Sequence, residues 1–293
     1  MAALPEDAST PAVARGPWRE AWTVFRRNRA AVLGLAILAL MALLVAFGPM
    51  LYAVDPFDLV GAPMSPPGSP DTLLGTDYLG RDIVAGLVYG GRPTVVVGFC
   101  AAFITAIIGI TVGSLSGYYG GTVDRVLGRL VELFQVLPAL LFAMVLITLF
   151  TASTVTVTVA IGVVAWPGMA RLTRAEFLRI KQLDFVRAAR AIGASDARII
   201  LRTILPNALP PIMVSATLAT GTAILFQAGL SFLGLTDPNV MSWGLMIGSS
   251  RNYLREAWWA VTFPGLCIFL TVLAISLVGD GLNDAFNPKL RDR

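Results

Sequence analysis

The sequence lacks histidine entirely across its 293 residues. This absence excludes acid or base catalysis by histidine, Ser/His and Cys/His nucleophilic dyads, and histidine metal ligands. The sequence also lacks a glycine-rich loop ending in Gly-Lys-Ser or Gly-Lys-Thr, the pattern that cradles nucleotide phosphates. We therefore expect no catalytic residue, no metal site and no cofactor in this chain, and we expect it not to be an enzyme.

Charged residues and cysteines are scarce. Asp, Glu, Lys and Arg make up 14% of the residues, whereas 56% are hydrophobic, which is far outside the usual range of soluble proteins. Cys100 and Cys267 both lie in apolar stretches, where a thiol behaves as a small apolar group, so we predict no disulfide. No ionisable residue lies centrally in those stretches, although ion-coupled transporters normally need such groups there. Any energy for active transport must therefore come from another protein.

Long uncharged stretches predict an all-α integral membrane protein with six transmembrane helices. The stretches are residues 30–54, 93–123, 133–170, 204–236 and 257–278. The third contains 38 residues. Because a single crossing needs about 20 residues, we expect the third stretch to form two crossings with a turn at residues 151–154. The first helix of that pair is expected to begin near Val126.

The distribution of Lys and Arg predicts the topology. Loops rich in these residues stay in the cytoplasm, and 18 of the 22 fall inside if the amino terminus is cytoplasmic. Both termini are then cytoplasmic, and the net charge of +4 reflects topology, so no nucleic-acid partner is expected. The expected cytoplasmic tails are residues 1–29, of which 1–14 are too polar to pack and are expected to be disordered, and residues 284–293. Between them we expect a first transmembrane helix at 30–52 and an extracytoplasmic loop at 53–93. A five-helix core follows at 94–283 and includes a cytoplasmic loop at 171–210.

The polar segment at residues 183–206 carries the strongest functional signal. Apolar residues recur at helical spacing from Leu183 to Ile192, which predicts a short amphipathic helix. Gly193 permits a tight turn, and Ser195 is expected to cap a second helix with Asp196 in its first turn. Three prolines are expected to end that second helix and turn the chain into the next span: Pro206, Pro210 and Pro211.

This segment resembles the cytoplasmic signature loop of ABC importer permeases, which is written Glu-Ala-Ala, three residues, Gly, and then Leu-Pro. Arg187 stands where that family usually has Glu, and Thr203 stands where the pattern often has an apolar residue. The resemblance implies that the loop couples the permease to an ATPase. The residues expected to form this site are Arg187, Ala188, Ala189, Arg190, Gly193, Ala194, Ser195, Asp196, Leu205 and Pro206. On the arginines alone, an amphipathic helix lying on anionic lipid is the alternative.

Five further segments resemble the dipeptide and oligopeptide branch of these permeases. They are FRRN at 25–28, LGTDYLGRD at 74–82, GLSFLGL at 229–235, SWG at 242–244, and GDGLND at 279–284 with NPKLR at 287–291. The resemblance covers about residues 25–291. It implies the type I ABC importer permease fold, in the subunit that has one extra amino-terminal helix before a five-helix core.

The same segments also have readings from the residues alone. The motif at 74–82 is a turn leading into a helix capped near Asp77, and Trp243 suits the headgroup boundary. Asp280 and Asp284 are expected at the inner surface as caps or ion-pair partners. Several residues are expected to provide close helix contacts or kinks: Gly109, Gly113, Gly117, Pro138 and Pro167.

The resemblance implies a complete importer around this chain. A homologous permease would form the other half of the pathway, two ATPase subunits would hold ATP and magnesium, and an extracytoplasmic solute-binding protein would deliver cargo. The assembly would lie in a bacterial or archaeal plasma membrane. Di- or oligopeptides are the expected cargo, with nickel, glutathione or another small solute as alternatives. Two other functions are an autonomous secondary carrier or channel and a membrane scaffold without transport. A carrier would need intramembrane ionisable groups or an inverted repeat, and we find neither in the sequence. A scaffold would give no reason for a glycine-hinged loop of this spacing.

Overall fold

The computed structural model describes the backbone of residues 17–286 and the side chains of residues 22–286. The expected disorder of residues 1–14 and the motif at 287–291 therefore lie outside the described residues. In chain order the helices are α1 (Pro17–Arg27), α2 (Arg29–Leu51), α3 (Ile83–Tyr119), α4 (Gly121–Val136), α5 (Ala139–Leu149), α6 (Thr154–Ile180), α7 (Asp184–Ala191), α8 (Asp196–Arg198), α9 (Leu205–Phe232), α10 (Trp243–Ser250) and α11 (Trp259–Phe286). A π-helical segment, Ile199–Ile204, joins α8 to α9.

Within residues 17–286, five helices are long and apolar enough to cross a membrane: α2, α3, α6, α11 and the continuous helix Asp196–Phe232. Helices α4 and α5 are bent by 89° at Leu137 and Pro138, and together they qualify as a sixth span. Pro138 explains the bend, because it lacks a backbone N–H and favours an extended conformation at the residue before it. The predicted all-α membrane architecture is confirmed.

A seam of small residues holds α3 against α6. A Cβ atom on Gly109 would lie 2.5 Å from a side-chain atom on α6, and one on Gly113 would lie 2.4 Å from the carbonyl oxygen of Ala170. A Cβ atom on Gly117 would lie 2.7 Å from the Cβ of Phe177. Because small residues at every fourth position let two backbones approach this closely, the predicted helix contacts of these three glycines are confirmed.

The segment between α2 and α3 forms a compact lobe, which we call the outer lobe (residues 53–82). Two indole groups fix it and α10 to the helices. Trp259 Nε1 donates a hydrogen bond to the carbonyl oxygen of Thr76 at 3.0 Å, and Trp243 Nε1 donates to that of Leu87 at 2.9 Å. Trp243 is fully buried, and its N–H bonds a backbone acceptor, as buried indole groups usually do. Its expected position at the headgroup boundary stays a prediction.

The motif at 74–82 uses its two aspartates differently from the prediction. Asp82, not Asp77, caps α3, and its carboxylate accepts hydrogen bonds from the backbone N–H of Val84 at 2.6 Å and of Ala85 at 3.4 Å. Asp77 is already used within the turn, where it accepts from backbone N–H groups at positions 79 and 81. Tyr52 also donates to Asp82 at 2.5 Å. Burial, that hydrogen bond and the charge of Asp82 raise the pKa of Tyr52 to about 12, so its hydroxyl stays protonated.

Asp284 connects the last turns of α11 to the start of α2. It accepts a hydrogen bond from the side-chain amide of Asn28 at 2.9 Å, while the oxygen of the same amide accepts from the backbone N–H of Ala31 and caps α2. In the described part of the chain Asp284 therefore serves neither as a cap nor as an ion-pair partner, contrary to expectation. The side-chain amide of Asn28 has both a donor and an acceptor, so it can bond the Asp284 carboxylate and cap α2 at the same time.

Candidate partner-docking site

The segment at residues 183–206, which we call the docking loop, is anchored by a buried apolar cluster. Val186 of α7 is 1% exposed and packs with Phe177 and Ile180 at the end of α6. Ile199 and Ile204 of the π-helical segment are fully buried in the same cluster. The loop is thus held at the ends of two spans by the side chains that point inwards.

The outward face of the docking loop is apolar as well as charged. Ile192 is 85% exposed, and Phe185, Leu183 and Leu201 are 41 to 60% exposed. Arg187 forms an ion pair with Asp184 at 3.7 Å, in which both side chains are largely exposed, so the pair contributes little to stability. Several exposed apolar side chains in one short loop suit a contact surface, either with a protein or with lipid.

Gly193 ends α7 in a Schellman motif. The N–H of Ala194 donates to the carbonyl oxygen of Ala189 at 3.1 Å, and that of Gly193 donates to Arg190 at 3.0 Å. Gly193 has φ +80°, a left-handed conformation that side-chain-bearing residues resist. No atom lies within 4 Å of where its Cβ would be, so the backbone turn alone requires glycine.

Two expectations about the second helix are corrected. Ser195 stands at the N-cap position and its backbone carbonyl accepts from Ile199, but its exposed hydroxyl makes no capping hydrogen bond and can bond water instead. The helix also does not end at Pro206. It continues to Phe232, with Pro210 and Pro211 inside α9.

The π-helical segment explains how the helix passes the first proline. The N–H of Leu205 donates to the carbonyl oxygen of Ile200, five residues back, so the wider turn ends directly before Pro206. The missing N–H of Pro206 then falls at the junction between π-helical and α-helical pairing, where one donor can be lost. The side-chain amide of Asn207 donates to the carbonyl oxygen of Thr203 at 2.7 Å and compensates in part.

Tyr118, at the end of α3, contacts the docking loop at two residues and also contacts Lys181, just before the loop. Its hydroxyl donates to Asp196 Oδ1 at 2.5 Å and accepts from Arg190 Nη2 at 3.4 Å. The ammonium group of Lys181 donates to its carbonyl oxygen. Both cations also lie over the ring, Lys181 Nζ at 5.5 Å and the guanidinium carbon of Arg190 at 5.7 Å from the centroid.

The structure brings the expected site residues into one loop but divides them by environment. Ala189, Ala194 and Leu205 pack at the edge of the buried cluster. The others are exposed: Arg187, Ala188, Arg190, Gly193, Ser195, Asp196 and Pro206. Tyr118 and Lys181 were absent from the prediction. The only signal for Tyr118 in the sequence was an aromatic residue at the end of a predicted span, which indicates nothing about a contact 78 residues away.

Two family models match the sequence. One, described as the inner membrane component of binding-protein-dependent transport systems, matches residues 109–292, more than half of the chain. The chain belongs to this permease family. The other, the N-terminal transmembrane domain of oligopeptide transport permease C, matches residues 16–67, in agreement with an extra helix before the core.

Relatives of the permease extend over nearly its whole length. It is 39% identical to the dipeptide transport system permease protein DppC of Alkalihalophilus pseudofirmus, over 98% of this chain and 94% of the relative. It is also 39% identical to the oligopeptide transport system permease protein OppC of Escherichia coli, over 94% of this chain and 93% of the relative. A chain of the MetNI methionine ABC transporter in an inward-facing conformation has a TM-score of 0.58 at 23% identity, over 67% of the permease and 93% of that chain, and shares its fold.

Proposed function

We propose that the permease forms half of the translocation pathway of an ATP-driven importer for di- or oligopeptides, and that the docking loop couples it to a cytosolic ATPase. The observation that carries the coupling is the exposed apolar face of a loop whose inward face is fixed to the ends of α3, α6 and α9. A partner that moves this face moves three spans. The names of the relatives support peptides as the cargo.

The proposed assembly contains a homologous permease, two ATPase subunits that hold ATP and magnesium, and an extracytoplasmic binding protein. The permease has no ionisable group centrally placed in its apolar stretches, so coupling through the loop supplies the energy. ATP binding would draw the docking loops of the two permeases together, and the attached spans would tilt between two states. The positive-inside rule places the loop and both termini in the cytoplasm.

Purification of the tagged permease from its native membrane tests the assembly. We expect a second permease, ATPase subunits and a binding protein to be recovered together. In proteoliposomes, the complex should take up labelled dipeptide only with ATP and the binding protein. Competition by unlabelled peptide, but not by nickel or glutathione, supports peptide cargo; the reverse order would reassign the cargo. A lone chain without ATPase activity contradicts the proposal.

Ile192→Asp tests the docking face. A charge at the exposed anchor of an interface should weaken ATPase recovery about tenfold, whereas the loop itself stays folded because Ile192 makes no buried contact. Leu73→Asp is the matched control, since Leu73 in the outer lobe is also a largely exposed aliphatic residue, at 70% against 85% for Ile192. Equal ATPase recovery from both variants would remove the apolar face from the mechanism and favour contact of α7 with lipid.

Reporter fusions test the orientation. A reporter active only in the cytoplasm should be active at residue 190 and inactive at residue 65. The reverse result would place the docking loop outside and overturn the proposal.

A further inference from the structure

Tyr118 belongs to α3 but is buried by the docking loop. Its side chain is 3% exposed, although it lies at the end of a membrane span. Its contacts reach the residues before α7 (Lys181), within α7 (Arg190) and at the start of α8 (Asp196). No other α3 side chain among the described residues makes a hydrogen bond to the docking loop.

The chemistry of these contacts makes them strong for a single neutral residue. The hydroxyl donates to a carboxylate and accepts from a guanidinium group, so both of its hydrogen bonds are to charged partners. The ring meanwhile faces two cations. The ring of Tyr118 is buried, whereas Arg190 and Asp196 are exposed, so water screens the two charged hydrogen bonds in part, and the 3.4 Å bond from Arg190 is the weaker of them.

The end of α3 is itself fixed to α6. Asp124, just beyond α3, accepts from Arg174 of α6 through Nε at 2.6 Å and Nη2 at 2.7 Å. Ser116 of α3 donates to the same carboxylate at 2.5 Å. Gly117 lies against Phe177. These contacts hold the ends of α3 and α6 together. The docking loop makes its side-chain hydrogen bonds to this joined end through Tyr118.

We propose that Tyr118 is a positioning residue for coupling: it transmits displacement of the docking loop to α3. This inference rests on the proposed function. Along the chain the docking loop follows α6 directly and leads directly into α9, whereas α3 is connected to it only through α4, α5 and α6. Without the Tyr118 hydroxyl, the loop still binds the ATPase, and its movement reaches α3 through α6, the apolar cluster and the Lys181 contact, but no longer through Arg190 and Asp196.

Tyr118→Phe tests the proposal with little change in volume. It removes both hydrogen bonds to charged groups and leaves the ring under its two cations. We expect normal membrane insertion, normal ATPase recovery and an unchanged KM for ATP, whereas peptide uptake per ATP hydrolysed falls about three- to tenfold. Tyr119→Phe is the matched control, because Tyr119 is 49% exposed and only its ring edge contacts Tyr118.

A double-mutant cycle with Asp196 separates coupling from a general structural role. Asp196→Ala removes the bond that it shares with Tyr118 and should reproduce much of the loss in Tyr118→Phe. The double variant should be no worse than Tyr118→Phe, which already lacks that bond and the bond from Arg190. Full additivity of the two losses, an unchanged uptake-to-hydrolysis ratio in Tyr118→Phe, or an equal fall in Tyr119→Phe would each overturn the proposal. A wild-type complex without ATP-dependent uptake would instead refute the proposed function.

Discussion

The docking loop and the outer lobe differ in how closely other atoms surround their glycine turns. Both turn at glycines with positive φ, +80° at Gly193 and +82° and +91° at Gly75 and Gly80. A Cβ atom on Gly75 would lie 2.4 Å from the carbonyl oxygen of Ser65, and one on Gly80 would lie 2.3 Å from that of Gly61. Around Gly193 the space is empty. The turns of the outer lobe are closed by their own chain, whereas the turn of the docking loop has free space beside it among the described residues.

Polar side chains show the same difference. In the outer lobe Thr76 is fully buried, and its hydroxyl accepts from the backbone N–H of Ser65 at 2.9 Å and donates to the carbonyl oxygen of Ala62 at 2.7 Å. In the docking loop, Arg187 and Ser195 are exposed. Self-satisfied groups stabilise a lobe, while exposed groups remain available for binding. The following changes test that distinction.

Gly80→Val should have the largest effect. It combines an unfavourable left-handed conformation with a clash against the backbone of Gly61, so we expect a loss of about 3 kcal/mol or more in the free energy of unfolding. Thermal melting of the detergent-purified permease measures it. Gly68→Val is the control, since Gly68 has φ +82° but open space around it, and it should cost much less. Equal losses would show that packing in the lobe is looser than described.

Thr76→Val should have the next largest effect. It keeps the shape of the side chain but leaves the N–H of Ser65 without its partner and removes one of the two hydroxyl donors to the carbonyl of Ala62, at a cost of about 1–3 kcal/mol. Thr72→Val is the matched control, because the buried hydroxyl oxygen of Thr72 has no hydrogen-bond partner among the described residues. Thr72→Val should be neutral or stabilising in the same melting assay. A greater loss from Thr72→Val than from Thr76→Val contradicts the description of the lobe.

Gly193→Val should affect coupling more than stability. The strain of a β-branched residue at φ +80° is about 1–2 kcal/mol, and no clash adds to it. Membrane insertion should be unchanged, while peptide uptake falls relative to ATP hydrolysis. Gly193→Asn should be milder, because asparagine tolerates this conformation better. Unchanged uptake in Gly193→Val would remove the turn from the coupling mechanism.

Arg187→Ala should have the smallest effect. Its ion pair with Asp184 is exposed, so the free energy of unfolding should change by less than about 0.5 kcal/mol. The melting temperature checks this, with Arg174→Ala as the contrasting variant, since Arg174 bonds Asp124 twice. Similar effects of the two changes would show that the docking face contributes to folding as well as to binding.

The sequence predicted the local features of the docking loop better than its long-range contacts. Helix α7 and the turn at Gly193 follow from apolar spacing and one glycine, which act over a few residues. Tyr118 could not be predicted, because its contacts depend on how α3 packs against α6. The helix end predicted from the prolines was wrong. A missing N–H normally ends a helix, but the π-helical pairing directly before Pro206 allows this helix to continue, and the sequence does not show that pairing.

The continuity of the helix Asp196–Phe232 has a mechanical consequence. A helix of 37 residues is about 55 Å long, so the docking loop lies at one end of a lever that reaches across the membrane. If this lever pivots near its inner end by 10°, its far end sweeps through about 10 Å. A small displacement beneath the membrane is thereby amplified at the opposite face.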